Sequence, residues 1–251
     1  MNMPATDLPT LIANASFEIK PVGPTIGAEI SQLDLAQPLD SDTFAALYAT
    51  LIEYKVLFFR NQQMTPEQQV IFGQLFGDLE IHPFRPERPG IPELVVLDNH
   101  ENNPVLSTDI WHADTTFREK PTRFSILRCL QIPERGGDTL WADMVAAYEG
   151  LSEPIKKLIC GLEAMHDFKN FKLIYGESEE DVKTLREMEK LYPCPIHPVV
   201  RTHPDNGEKV LYVNPLFTKR ILGMSVKESD GILGILYEQS KTPEYQTRLS
   251  W

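Results

Sequence analysis

Trp111-His112-Ala113-Asp114-Thr115-Thr116-Phe117 sets an imidazole and a carboxylate two positions apart in a run of strand-forming residues. In a strand, residues i and i+2 point to the same face. That reading aims His112 and Asp114 at one point and turns Trp111 and Ala113 away. One nitrogen and one oxygen donor on one face make two-thirds of the facial triad of two His and one carboxylate. Such a triad holds non-haem Fe(II) and leaves positions open for cosubstrate and oxygen. Taken alone, a His-x-Asp pair is more often a hydrogen-bonded histidine or a surface pair than a metal site, so its context must decide.

Outward from this stretch, short strands are scattered and helices are inserted between them. Residues before Phe17 read as a disordered tail, leaving 17–251 as the folded domain. Phe17 to Val22, Thr25 to Ile30 and Lys55 to Arg60 read as strands, the last buried on both faces. Ser41 is placed to cap a helix carrying Phe44, Leu47, Tyr48, Leu51 and Ile52 at helical spacing. Thr65-Pro66-Glu67-Gln68 is a capping box with Pro at the first helical position, and its helix should end near Gly77. His82-Pro83-Phe84-Arg85-Pro86 opens a proline-rich loop. Glu93 to Asp98 and Arg123 to Leu130 read as strands. The polar segment Asn99 to Asp109 between them has the composition of a mobile lid beside a site. Gly136-Gly137-Asp138 marks a turn that Thr139 to Ala142 leaves extended.

In the second half, Ser152 with Pro154 starts a helix running to about Leu162, and Ser178-Glu179-Glu180-Asp181 opens another with acid at its N-terminus. Pro204-Asp205-Asn206-Gly207 between Val199 to His203 and Lys209 to Val213 is a hairpin signal. Ser225-Val226-Lys227-Glu228 caps the last clear helix, with Ile232, Leu233, Ile235 and Leu236 as its buried stripe. The expected fold class is mainly β with inserted helices, a sandwich or barrel-like domain rather than a parallel α/β sheet.

The bulk composition narrows the partners. A net charge of −12 over 251 residues argues against nucleic acid and against anionic membranes, so an anionic substrate needs locally placed basic groups. Hydrophobic and charged fractions of 42% and 24% are ordinary for a globular chain. Cys129, Cys160 and Cys194 form no Cys-x-x-Cys pair and are expected to be buried, reduced thiols of a cytoplasmic protein. Met1 to Ala15 lacks a basic region followed by an apolar run, and no apolar stretch is long enough to span a bilayer.

At this point the residues carry a family resemblance. The chain resembles the taurine dioxygenase group of Fe(II)/2-oxoglutarate-dependent dioxygenases from about Phe17 onward. The landmarks are Gly27-Ala28-Glu29-Ile30, Val56-Leu57-Phe58-Phe59-Arg60, Phe76-Gly77, Ile81-His82-Pro83 and the Trp111 to Phe117 stretch. Gly136-Gly137-Asp138-Thr139-Leu140-Trp141, His166-Asp167-Phe168 and His197-Pro198-Val199-Val200-Arg201-Thr202-His203-Pro204 follow in order. The resemblance implies a double-stranded β-helix, a jelly roll carrying iron at one mouth.

It also implies roles. His112 and Asp114 match the first two iron ligands, and Thr139 the residue that holds a carboxylate of 2-oxoglutarate. His82 matches a substrate-sulfonate contact, and Phe168 and Phe217 match aromatic walls of the pocket, with Asn214 near Phe217. Arg85 and Thr108 stand where taurine-specific members carry a tyrosine and an asparagine, so they put taurine itself in question. Arg85 is either an anion partner or a solvated loop residue. The family's distal His and two C-terminal arginines follow a segment like Arg248-Leu249-Ser250-Trp251, so the third His ligand is expected after Trp251 and the domain is expected to lack its C-terminal end. His166, His197 and His203 are the histidines left as substitutes for that ligand, each read ahead of that role as a hydrogen-bonded structural His, and Arg248 is read as a solvated or packing residue ahead of the cosubstrate clamp.

The function so implied is hydroxylation of the carbon next to the sulfonate of a small organosulfonate such as taurine, using molecular oxygen, Fe(II) and 2-oxoglutarate. The products would be sulfite, an aldehyde, succinate and carbon dioxide. An alkyl sulfate or aryloxyalkanoate dioxygenase is the alternative within the enzyme class. A non-catalytic jelly-roll protein binding a small anion is the alternative outside it, favoured if the chain ends at Trp251. A homo-oligomer is expected.

Overall fold

A computed structural model of the protein describes residues 8–82, 90–97, 110–168 and 179–251. Its contacts divide the chain into two units, each with a core of its own: Met1–Asp98 with Ile126–Trp141 and Gln246–Trp251, and Asn99–Ser125 with Ala142–Tyr245.

In the first unit, Leu8, Leu11 and Ile12 share one face of a short helix α1 (Leu8–Ala13), which packs on α2 (Ser41–Tyr54). The disordered tail expected over residues 1–16 is therefore corrected from Leu8 onward, because an i, i+3, i+4 apolar face had a helix to dock against. β1 (Glu18–Pro21) pairs antiparallel with β2 (Ala28–Ser31), which pairs parallel with β3 (Leu57–Phe59). Phe17, Ile30, Leu35, Ala46, Leu47 and Phe72 form the core beneath them. Gly27 has φ +98, and a Cβ there would lie within 3.3 Å of Val22, Thr247 and Phe58, so glycine is required on both grounds. The cap of α2 is Asp40, one residue before the expected Ser41: its carboxylate accepts the Thr43 N–H at 2.8 Å. The capping box of Thr65 and Gln68 opens α3 (Pro66–Gln74) as expected. β4 (Thr139–Ala142) leaves the Gly136-Gly137 turn, where both glycines have positive φ.

The second unit contains α4 (Met144–Glu149) and α5 (Glu153–Ile159). α5 stops before the expected Leu162, since Cys160 is extended and Gly161 turns to φ +76. β5 (Glu163–His166) is followed by α6 (Glu179–Leu191), β6 (Ile196–Pro198), β7 (Val200–Thr202), β8 (Lys209–Leu211), β9 (Thr218–Ile221) and α7 (Val226–Gln239). β5 is the centre of an antiparallel sheet of order β6-β5-β9, and β7 and β8 form the expected hairpin. Its core joins Ala147, Ile159, Ala164, Val199, Leu211 and Ile221 to Leu233 and Leu236 of α7. Of the stripe expected on α7, Ile235 is 49% exposed instead. The chain then returns to the first unit as β10 (Gln246–Leu249), the neighbour of β4.

Several expectations are corrected. Residues 93–97 and 123–130 are not strands, and Leu97, Leu127 and Leu130 are exposed. A strand needs a neighbour's backbone, and no described segment pairs with either stretch. Strands are three or four residues long, and helical residues outnumber strand residues among those described. All three cysteines are exposed rather than buried, because none falls on a core-facing position of an element. The proposed lid, Asn99 to Asp109, lies outside the described residues. Among the described residues no helix is long and apolar enough to cross a membrane.

Gly150 closes α4 where a Cβ would collide with the Tyr245 hydroxyl. Gly150→Ala should cost about 1–3 kcal/mol by overpacking. Denaturant unfolding should show the loss, and Tyr245→Phe in the same chain should recover part of it. An unchanged midpoint for the single variant would mean that Tyr245 yields without strain.

Candidate active site

His112 lies on irregular chain and Asp114 opens a turn, so neither is on the expected strand. Thr115 adopts φ +55, a conformation that β-branched residues rarely take. Its carbonyl accepts the Arg118 N–H at 2.9 Å, and its hydroxyl accepts the Thr122 N–H at 2.9 Å. The chain thus doubles back immediately after Asp114. Curvature achieves what the pleat of a strand would have done: His112 Nε2 lies 3.5 Å from Asp114 Oδ1.

Each donor is oriented from behind. His112 Nδ1 donates to the Ile110 carbonyl at 2.7 Å, which leaves Nε2 as the nitrogen available to a metal. Ser125 Oγ donates to Asp114 Oδ2 at 2.7 Å. Hydrogen bonding to Asp114 raises the His112 pKa above its ordinary value, against the opposing effect of partial burial. The roles of Ser125 and of the Ile110 carbonyl had no signal in the sequence.

The far side of the turn is anchored in the second unit's interior. Thr116 and Phe117 are each 1% exposed. Thr116 Oγ1 meets His166 Nδ1 at 3.1 Å and accepts from Asn214 Nδ2 at 3.2 Å. His197 Nε2 donates to the Thr116 and Arg118 carbonyls at 2.9 and 3.0 Å. Burial pushes the His166 pKa down to about 3, with His197 adding to the shift, and burial also lowers that of His197. Both are therefore neutral, structural histidines. Phe117 packs against Phe168, Tyr192 and Phe217 with ring centroids 5.3–5.9 Å apart.

The structure thus brings His112 to Asp114, and Phe168 to Phe217 around Phe117. Thr139 and His82 belong to the other unit. Thr139 Oγ1 accepts the Trp251 indole N–H at 2.9 Å. Arg248 is exposed and paired with Asp138 at 3.1 Å, as a solvated residue would be. His203 faces Asp205 at 3.7 Å. Arg85 and Thr108 lie outside the described residues. Among the described residues no three His, Cys, Asp or Glu side chains gather as a complete metal cage.

Comparison with known proteins identifies the family. Residues 18–251 match the family model described as "Taurine catabolism dioxygenase TauD, TfdA family". The chain is 36% identical over 251 residues to an alkylsulfatase of Acinetobacter baylyi, covering 96% of this chain and 77% of that protein. It is 35% identical over 240 residues to an alpha-ketoglutarate-dependent sulfate ester dioxygenase of Pseudomonas putida, covering 94% and 78%. The crystal structure of a taurine dioxygenase from Burkholderia xenovorans superposes with a TM-score of 0.79 at 35% identity, covering 94% of this chain and 76% of that one. The chain belongs to the TauD, TfdA family and is an alpha-ketoglutarate-dependent dioxygenase, an enzyme class that uses Fe(II) and 2-oxoglutarate. The donor set fits that metal: an imidazole nitrogen and a carboxylate oxygen converge, each held by a second hydrogen bond.

The buried histidines give stability a defined pH dependence. The unfolded chain binds a proton at His166 below its ordinary 6.5, whereas the folded chain excludes it down to about 3. Stability is then full above that upper value and falls with pH across the window, up to roughly tenfold in the folding equilibrium per pH unit. Urea unfolding between pH 7 and pH 4 should show the slope, and His166→Gln should flatten it. An equal slope in both proteins would assign it to other groups.

Proposed function

We propose that this dioxygenase hydroxylates the carbon carrying the anionic sulfur group of a small organic substrate, with an alkyl sulfate ahead of a sulfonate such as taurine. The observation that carries the reading is the oriented His112–Asp114 pair. The order of substrates rests on two relatives at 35–36% identity, an alkylsulfatase and a sulfate ester dioxygenase. We place the chemistry on a double-stranded β-helix of the jelly-roll type.

His112 Nε2 and Asp114 would supply two of the protein ligands of Fe(II). The chemistry supplied there is oxidation of a C–H bond by dioxygen, coupled to decarboxylation of 2-oxoglutarate to succinate and carbon dioxide. Thr139 binds a 2-oxoglutarate carboxylate. Its hydroxyl accepts from Trp251, whose indole N–H only donates, so its own hydrogen is left to donate to the carboxylate. His82, Arg85 and Thr108 bind the substrate anion, and the fork of a guanidinium suits three sulfur-bound oxygens. Local basic groups are needed because the chain's net charge of −12 repels an anion at long range. Phe168 and Phe217 furnish the apolar wall.

The hydroxylated carbon of an alkyl sulfate is a hemiacetal ester. Its O–H proton is lost, the carbonyl forms, and the C–O bond to sulfate breaks to give an aldehyde and sulfate. The same collapse of an α-hydroxysulfonate breaks C–S and gives an aldehyde and sulfite.

A panel of alkyl sulfates, sulfonates and aryloxy acids, scored by succinate together with sulfate, sulfite or phenol, tests the reading. Sulfate release from alkyl sulfates is expected. Turnover of aryloxy acids alone would overturn the sulfur-anion assignment. Asp114→Ala should abolish Fe(II) binding and turnover together, and unchanged iron stoichiometry would remove that carboxylate from the site.

A further inference from the structure

Thr116 receives more polar contacts than a turn residue needs. It stands two positions after Asp114 and is 1% exposed. His166 lies at the end of β5, His197 within β6, and Asn214 beyond β8, so three separate elements converge on it. Thr218 of β9 extends the set: its Oγ1 accepts the Asn214 N–H at 2.9 Å and lies 3.4 Å from His166 Nε2. Burying this many polar groups has a large desolvation cost, which an apolar core would avoid. A fully satisfied network holds one conformation where apolar packing tolerates several. The conformation held is strained: Thr115, between Asp114 and the clamp, is β-branched and left-handed at φ +55. Such a residue persists where its surroundings over-determine it, and that strain often serves a site.

We infer that His166, His197 and Asn214 are positioning residues: by clamping Thr116 they keep Thr115 left-handed and so aim the Asp114 carboxylate at His112 Nε2. None of the three belongs to the proposed donor pair. They act through the backbone of the turn, whereas Ser125 and the Ile110 carbonyl bond the Asp114 and His112 side chains directly. The assignment rests on the proposed metal site, but the clamp is a property of the metal-free chain as well.

The test uses Mn(II) as probe in the full chain, with amide hydrogen exchange of residues 112–118 measured without metal. Thr116→Val keeps the shape and deletes the hydroxyl. It should speed exchange in the turn and weaken Mn(II) binding about ten- to a hundredfold, the range for loss of a metal site's outer support. Thr116→Ser should restore both. Thr115→Asn, which favours the left-handed region without the clamp, should recover part of the Mn(II) affinity in the Thr116→Val background. A merely structural Thr116 would give no such recovery. Should Thr116→Val not fold, His197→Ala removes the donor shared by the Thr116 and Arg118 carbonyls and should give a loss of the same kind. Faster exchange with wild-type Mn(II) affinity would overturn the positioning role, and unchanged exchange would overturn the clamp. If wild type and Asp114→Ala bind Mn(II) equally, the proposed metal site fails instead, and the exchange data still decide the clamp.

Discussion

The burial of Thr116 is the constraint on which the candidate site depends. Both its polar ends are bonded by side chains from separate elements. A buried hydroxyl or carbonyl without a partner costs of order 1–3 kcal/mol, so the turn can occupy its place only when β5, β6 and the segment after β8 are already in register. Register is fixed there by antiparallel pairing of β5 with β6 and β9. The site is thus coupled to the folding of its unit.

That coupling explains why the candidate metal-binding pair sits on irregular backbone. A strand would aim two side chains at one point but would leave its own polar groups to be paired along its whole length. A left-handed residue bends the chain at once and leaves Ile110, Asp114 and Thr116 to bond with particular partners. Apolar packing of Phe117 against Phe168, Tyr192 and Phe217 then holds the next residue in the interior. Anchoring and chemistry are divided between adjacent residues of one seven-residue stretch.

The local elements were legible because their causes are local. The capping boxes of Thr65 and Ser225 and the hairpin at Asp205-Asn206-Gly207 need only neighbours in sequence. The segments 93–98 and 123–130 have strand composition, but a strand exists only where another backbone accepts its hydrogen bonds. The same limit hid the cysteines, whose exposure follows from where elements end, and the tail helix α1, whose stability comes from α2.

The sequence by itself determined the donor types, their spacing and, through a series of ordered landmarks, the family. The candidacy of His112 and Asp114 as metal ligands, and the expectation that His166 and His197 are hydrogen-bonded inside the fold, were taken from it, because residue chemistry and order are properties of the chain. Only the tertiary structure decided that the pair rides on a left-handed turn and that Ser125 and Ile110 orient its donors. It also decided that two histidines more than forty positions downstream hold the turn in place. Those facts depend on contacts between residues far apart in sequence, and their free energy exists only once the intervening chain has closed the loop.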